Sequence, residues 1–484
     1  MTTTTAPTEQ AAGPQRLRDA WVPLTALALA FFVEMVDNTI MNLALPSMAR
    51  DLGAGTTQMQ WITGAYSLVF GSLLLATGSA ADRFGRRRLL IGALFLFGAI
   101  SALVWFVHTP GELIAMRALL GVAAAGMAPV TMSLVFRLFD DDVVRMRAIN
   151  VMIVVGMSSM ALGPLLAGAA LTHVSWHWLL FVNTPVALIA TLGVLMGIDR
   201  DRPEDLRPEP LDLPAVALTM LGIGMLCYTM TAGVEHGWTS GITLACALAA
   251  VASLAAFVWR EATAKHPMID LHIMANRTVS GSALAQAGSS VAMIASMFLL
   301  SMHLQFAMGW TPLQAGLGNL PFFLTMLVAT PVSEKLTIRY GHRVTCMIAA
   351  ALLTVGLVEL AWAAPHGYWP LVPGIVIMTV GLRIIMTVCA IALIESVPEE
   401  QTSLGTALND VVQEVGSSLG VALVGTMIAA LVTKALPADA WEPALQASFF
   451  DGERVIYGVL AVIIGVVVGY GASTLTNSHT ADEH

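Results

Sequence analysis

The stretch Gly78-Ser-Ala-Ala-Asp82-Arg83-Phe-Gly85-Arg86-Arg87-Arg88 places five charges between two apolar segments, Gln60 to Ala81 and Leu89 to Val107, that carry none. Each segment is long enough to cross about 30 Å of hydrocarbon as a helix, which takes about 20 residues. The short connection between them is therefore pinned to one membrane surface. Lys and Arg resist translocation, so an Arg cluster in such a connection marks the cytoplasmic side. Within it Asp82 can accept from a neighbouring Arg, and Gly85 lets the chain turn where a side chain would clash.

The composition extends this reading to the whole chain. Charged residues make up 11% and apolar residues 57%, against about 25% charged in a soluble domain. The fold expected is an all-α integral membrane protein with fourteen transmembrane helices between residues 21 and 475. With the N-terminus in the cytoplasm, an even number of spans returns the C-terminus to the same side. Of the 23 basic residues, Arg50, Lys434 and Arg454 then fall outside, Arg117 and Arg383 fall within the membrane, and the rest are cytoplasmic, as orientation by positive charge requires. The net charge of −9 and the scatter of basic residues among short loops leave no stripe for a nucleic acid. The scarcity of lysine points to a high-GC bacterial source, so the expected location is a bacterial cytoplasmic (inner or plasma) membrane. Cys227, Cys246, Cys346 and Cys389 lie in apolar segments without metal-ligand or disulfide spacing and read as small buried residues.

A repeat underlies the pattern. Arg83-Phe84-Gly85-Arg86-Arg87 corresponds to Arg339-Tyr340-Gly341-His342-Arg343, each between the second and third span of its half. Two parallel repeats with a substrate path between them are a common plan for secondary transporters. The expected organisation is a cytoplasmic tail over 1–20, a six-helix bundle over 21–198 and a cytoplasmic linker over 199–211. Two additional, peripheral helices over 212–260 and a second linker over 261–278 follow. A second six-helix bundle over 279–475 and a cytoplasmic tail over 476–484 complete the chain.

These features make the chain resemble a major facilitator superfamily transporter of the fourteen-span drug:proton antiporter branch. Gly78, Asp82, Arg83, Gly85, Arg86 and Arg87 match the family's first cytoplasmic signature, which the resemblance makes a gate at the bundle interface. Arg117, in Met116-Arg-Ala-Leu-Leu-Gly121, matches the fourth-span signature and implies a role in proton coupling; Leu120 stands where the family often has Gln. Gly156, Gly163, Pro164 and Gly168 match the fifth-span antiporter motif, with Ser159 and Ala167 where Gly is common. Asp37-Asn-Thr-Ile-Met-Asn42-Leu-Ala-Leu-Pro46 matches the first-span signature.

The residues themselves point to the same chemistry. An ionisable group at membrane depth costs about 2.5–3.5 kcal/mol on insertion scales and needs a reason. Glu34 and Asp37, three apart, share one helix face, where two carboxylates couple their titrations. Asp410 and Glu414 repeat the arrangement in the thirteenth span and are expected to bind a cationic substrate, protons, or both in competition. Arg117 stays charged at depth and needs carboxylates around it, with the first span the obvious source. Pro164 is expected to kink the fifth span, and its glycines to allow close helix contact. Glu359 and Arg383 are candidates for a salt bridge between neighbouring spans, and His303 reads as a lone structural histidine. Gly416-Ser-Ser418-Leu-Gly420 spells a nucleophile motif but lies inside a membrane helix, where it reads as small-residue packing.

The chain is thus expected to be no enzyme and to need no cofactor or metal, drawing on the proton gradient. Its expected function is proton-coupled efflux of amphipathic, cationic drugs or antibiotics by alternating access, with small amphipathic molecules, protons and the lipid bilayer as partners and a monomer as the working unit. The alternatives are a dedicated exporter of a self-made antibiotic or a lipid, and a membrane sensor that binds without transporting.

Overall fold

The computed structural model describes residues 16–139, 141–201, 206, 212–264, 271–396, 402–433 and 441–476. Most of the tails expected over 1–20 and 476–484, and much of the linkers expected over 199–211 and 261–278, lie outside the described residues. Among these every regular element is helical. The chain runs α1 (Trp21–Leu52), α2 (Thr56–Phe84), α3 (Arg86–Ala102), α4 (Pro110–Leu138), α5 (Asp142–Leu171), α6 (Trp176–Phe181) and α7 (Asn183–Gly197). Then follow α8 (Leu213–His236), α9 (Gly241–Thr263), α10 (Leu271–Ala275), α11 (Arg277–Met302), α12 (Pro312–Gly318), α13 (Leu320–Val328) and α14 (Thr330–Ala363). The last three are α15 (Tyr368–Glu395), α16 (Thr402–Leu431) and α17 (Pro443–Thr474).

Among the described residues, twelve helical stretches are long and apolar enough to cross a membrane, or thirteen if the two arms of α2, bent by 55° between Leu74 and Ala76, count as one span. The difference from fourteen has a visible origin. One stretch, Pro312–His366, is 55 residues long and takes in both segments expected on either side of the Arg339–Arg343 connection. The chain turns there at Gly341, with φ 75° and ψ 171° inside α14. Gly85, its counterpart in the first half, has φ 98° and is the single residue between α2 and α3. The expected loop around Gly78–Arg88 is therefore almost wholly helical, with one left-handed glycine making the corner that a side chain would resist.

Local chemistry sets several helix ends. Thr109 and Glu112 form a reciprocal capping box at the start of α4 and Thr311 with Gln314 does the same for α12, each pair satisfying backbone donors that a helix start leaves open. The hydroxyls of Ser72 and Thr77, which donate to the carbonyls of Leu68 and Leu74, flank the bend in α2, as expected where side chains intrude on the helical ladder. α5 continues as one helix through Pro164.

The two additional helices are not both peripheral. α9 is mostly exposed along its length, but α8 is seated on α2 and α16 together. Gln60 Nε2 donates to Thr231 Oγ1 at 3.1 Å, Cys227 Sγ lies 3.7 Å from Ser418 Oγ, and Ile223, Cys227 and Ala422 share an apolar cluster. α8 therefore covers the seam between the first half and the second. Cys227, Cys346 and Cys389 are buried and Cys246 is half-buried.

Candidate functional site

The centre of the protein is built around one buried ion pair. Arg117 Nη1 donates to Asp37 Oδ2 at 2.6 Å, and both residues are 1% exposed. The Arg117 guanidinium also lies 4.3 Å from the centre of the Tyr66 ring, and its Nε points to the Ile62 carbonyl at 3.4 Å. Asn183, the first residue of α7, donates from Nδ2 to Asp37 Oδ1 at 2.7 Å. Asp37 is thus held on both oxygens by groups from α4 and α7. Gly121, one turn beyond Arg117, lets α4 lie close against α2, since a Cβ there would stand 2.7 Å from the Tyr66 carbonyl oxygen.

Glu34 sits one turn before Asp37 on the same face of α1, as the spacing predicts, and is equally buried. Both of its carboxyl oxygens lack a hydrogen-bond partner. The charged groups within its electrostatic reach are Glu414, Asp410 and Asp37, and Glu414 in turn feels Asp410 and Arg117. The two acidic pairs, hundreds of residues apart in sequence, therefore converge on one polar centre. α2 is the mediator: at Gly71 a Cβ would meet that of Glu414 at 2.8 Å, so the absent side chain lets α16 press Glu414 against α2. Glu414 Oε2 is also buried without a partner, while Asp410 Oδ1 accepts from Asn409 Nδ2 at 3.2 Å. An isolated carboxylate in such surroundings is costly, so unpartnered acid oxygens at membrane depth mark places where a proton or a cationic group can bind.

The Gly416–Gly420 letters serve packing. Cβ atoms at these positions would stand 2.6 Å from the Ala287 carbonyl oxygen and 2.9 Å from that of Val291, so the glycines let α16 lie against α11. The fifth-span glycines do the same for α5. A Cβ at Gly156 would meet Phe31, one at Gly163 would meet Thr39, and one at Gly168 would stand 2.7 Å from the Pro312 carbonyl oxygen. Pro164 contributes to the same contact, because a Cβ on Gly316 would stand 3.0 Å from its carbonyl oxygen. The antiporter-motif face of α5 thus joins α1 to α12, across the halves.

Around Gly85 the contacts among the described residues run to the first half and to the linker that follows it. Arg86 Nη2 donates to Asp82 Oδ1 at 3.0 Å, and Arg87 Nη2 donates to the Leu195 carbonyl at 2.9 Å. Asp201, which the sequence did not single out, accepts from the backbone N–H groups of Arg87 at 3.1 Å and Arg88 at 3.2 Å. Its carboxylate caps α3 at the positive end of the helix dipole, in the space where a Cβ on Gly85 would lie. Arg83 lies beside Phe84, as Arg339 lies beside Tyr340, another trace of the repeat.

The opposite end of the bundle is tied across the halves. Ser301 Oγ donates to the Asn42 carbonyl at 2.7 Å, Gln305 Nε2 to that of Leu43 at 2.9 Å and Arg50 Nη2 to that of Gln305 at 2.8 Å. Thr56 Oγ1 donates to the Thr433 carbonyl at 3.0 Å. The expected Glu359–Arg383 bridge is not formed: Arg383 Nε donates to Thr330 Oγ1 at 3.0 Å and Glu359 lies beside Gly374. Nor is His303 alone, since it pairs with Glu453. Among the described residues no three His, Cys, Asp or Glu side chains are grouped to hold a metal ion.

The family model described as Major Facilitator Superfamily matches residues 27–266 and 282–470. The chain belongs to the Major Facilitator Superfamily. It is 33% identical to the puromycin resistance protein pur8 of Streptomyces alboniger over 471 residues, 96% of this chain and 92% of that one. It is 31% identical to the multidrug efflux pump LfrA of Mycolicibacterium smegmatis, over 85% and 81% of the two chains. The crystal structure of a bacterial homolog of the human lysosomal transporter Spinster, in an inward-facing and unoccupied conformation, superposes with a TM-score of 0.65 at 16% identity, covering 96% and 98%. The superfamily comprises transport proteins rather than enzymes, and the family resemblance read from the motifs holds. This is a multi-pass membrane protein with resistance and efflux transporters among its relatives.

Of the residues singled out in the sequence, Glu34, Asp37, Arg117, Asp410 and Glu414 come together at the centre. Gly78, Asp82, Arg83, Gly85, Arg86 and Arg87 form a separate corner at one end. Asn183 and Asp201 had no recognisable sequence signal, because an isolated Asn or linker Asp is common and its value here lies in its partner.

Proposed function

We propose that the protein is a proton-coupled exporter of amphipathic, cationic drugs or antibiotics that works as a monomer by alternating access. It lies in a bacterial cytoplasmic membrane with both termini in the cytoplasm. The observation that carries this reading is the buried Arg117–Asp37 pair beside the unpartnered Glu34, within electrostatic reach of Glu414 and Asp410. Four acids and one base in a shared low-dielectric centre cannot hold independent protonation states. Protons entering from outside neutralise the acids and weaken their hold on a cationic substrate, which leaves outward. After the switch the protons leave to the cytoplasm, and ionised acids attract the next cation.

A gating role for the Gly78–Arg88 corner is supported by its contacts, which among the described residues run to the first half and to Asp201 of the linker, while the opposite end is tied across the halves. On this reading the tied end is the outer one, and its contacts across the halves would close the path there. Closing the cytoplasmic side would require the corner to exchange its present partners for groups of the second half. A dedicated antibiotic exporter is the second reading, favoured by the similarity to a protein named for puromycin resistance.

The test is flux in proteoliposomes with an imposed pH gradient, measured over a panel of cationic and neutral amphipathic compounds. Export that follows the gradient and favours cations is expected. Binding without gradient-driven flux would leave a sensor instead, and flux of one compound alone would favour the dedicated exporter.

A further inference from the structure

His303 and Glu453 form a second buried acid–base pair, apart from the central cluster. His303 Nδ1 lies 2.6 Å from Glu453 Oε2, and the residues are 0% and 1% exposed. Each keeps another polar atom, Nε2 and Oε1, buried without a partner. Phe450 and Phe449 wall the imidazole, with ring centroids at 5.2 and 6.4 Å. A neutral imidazole beside an ionised carboxylate carries one net negative charge, and sealing that charge in an apolar shell is costly. One added proton makes the pair neutral, as imidazolium with carboxylate or imidazole with carboxylic acid. The unpartnered Nε2 and Oε1 are the two atoms that can carry it.

The surrounding groups do not supply that neutralisation. Tyr457, one turn beyond Glu453 on the same helix and buried with it, brings no positive charge. Asp451 and Arg454 are exposed on the outer face of α17. His366, in the turn that packs against α17, is exposed and bonded to the Trp362 carbonyl. Glu359 of α14 lies beside Gly374. Arg50 of α1 is committed to the Gln305 carbonyl and to the face of Phe306, 4.5 Å from the ring centre.

The position of the pair connects it to the outer closure. His303 opens a π-helical turn, His303–Ala307, that continues α11, an element that often marks functional sites. Ser301, Gln305 and Phe306 of this short segment make the contacts with Asn42, Leu43 and Arg50 of α1. One side of the segment is thus fastened to α1 of the first half, and its other side is fastened to α17 through His303.

We infer that His303–Glu453 is a second proton-binding site, loaded from the outer side, whose occupancy favours closure of the outer end. The proton comes from outer water and forms one N–H or O–H bond; the neutral pair then withstands burial and the π-turn packs against α1. Opening readmits water, and the proton can leave. The inference rests on proton antiport as the transport mode.

Two measurements test it. Wild type, His303→Gln and Glu453→Gln are reconstituted, and exchange is followed while outer pH is stepped from about 5 to about 8 with inner pH fixed. The wild-type rate should respond to outer pH, and Glu453→Gln, in which the pair is neutral without an added proton, should lose roughly 5–150-fold of that response while binding substrate from the inner side as wild type does. Separately, amide-exchange protection factors over residues 301–308 in purified wild type should fall as pH rises, and should be flat in the variant. Because the second measurement needs only the wild-type protein, a variant that misfolds does not spare the idea. Uniform slowing at every pH, an unaltered outer-pH profile in both variants, or pH-independent protection in wild type would overturn it. Absence of any pH-driven flux in wild type would instead defeat the antiport reading itself.

Discussion

Replacing Asp37 with Asn probes the central pair most directly. The amide keeps the shape and one oxygen that can accept from Arg117 or Asn183, so packing is preserved while one charge is lost. Arg117 is 1% exposed, and its remaining neighbours are the Ile62 carbonyl at 3.4 Å and the Tyr66 face at 4.3 Å. A cation–π contact of this kind is worth about 2 kcal/mol when desolvated, whereas stripping the partner from a buried ion pair costs about 3–5 kcal/mol. The difference is met if another acid ionises in compensation, and Glu414, which lies within electrostatic reach of Arg117, is placed to do so. Such a protein folds but holds its charge in the wrong place, and 3 kcal/mol misplaced in the cycle lowers a rate by more than about 100-fold. Proton-driven flux in Asp37→Asn proteoliposomes is therefore expected to fall to the leak, with thermal stability near wild type. The double variant Asp37→Asn/Arg117→Gln removes both charges and should recover any lost stability without recovering flux. Wild-type flux in Asp37→Asn, or flux restored in the double variant, would refute the reasoning and make the pair structural.

Four further outcomes are expected. Glu34→Gln should retain export but shift its pH profile, since an acid without hydrogen-bond partners contributes protonation and little else; an unchanged profile in a proton-uptake assay would count against it. Glu414→Gln and Asp410→Asn should weaken export of a cationic substrate while sparing a neutral one if these acids recognise charge, because only the cation loses a Coulomb partner; equal loss of both would assign them to protons, and no loss would make them structural. Gly85→Ala forces a side chain into φ 98° and into the space of Asp201, so turnover should drop with substrate affinity retained. Asp201→Ala, which removes a helix cap worth about 1 kcal/mol, should give a milder form of that defect, and lowered affinity with normal turnover would argue against a gating role for the corner.

Much of this protein was decided by local chemistry and is legible without any coordinates. The apolar runs on either side of Asp82–Arg88 require membrane helices because backbone polar groups have no water to turn to in hydrocarbon. The match of Arg83–Arg87 to Arg339–Arg343 required a repeat, and both central glycines do sit at positive φ. The i, i+3 spacing of Glu34 and Asp37 required a shared helix face. Contacts between distant helices follow no such rule. That α16 brings Glu414 to Glu34 depends on the missing Cβ of Gly71; that Asn183 completes Asp37 depends on where α7 begins; and that α8 closes a seam depends on Gln60 and Cys227 finding Thr231 and Ser418. His303 shows the limit most plainly. Seen along the chain it is a single histidine near a helix end, because the carboxylate that gives it meaning is 150 residues away, and a polar group buried in a membrane protein is defined by the partner that packing delivers rather than by its neighbours in sequence.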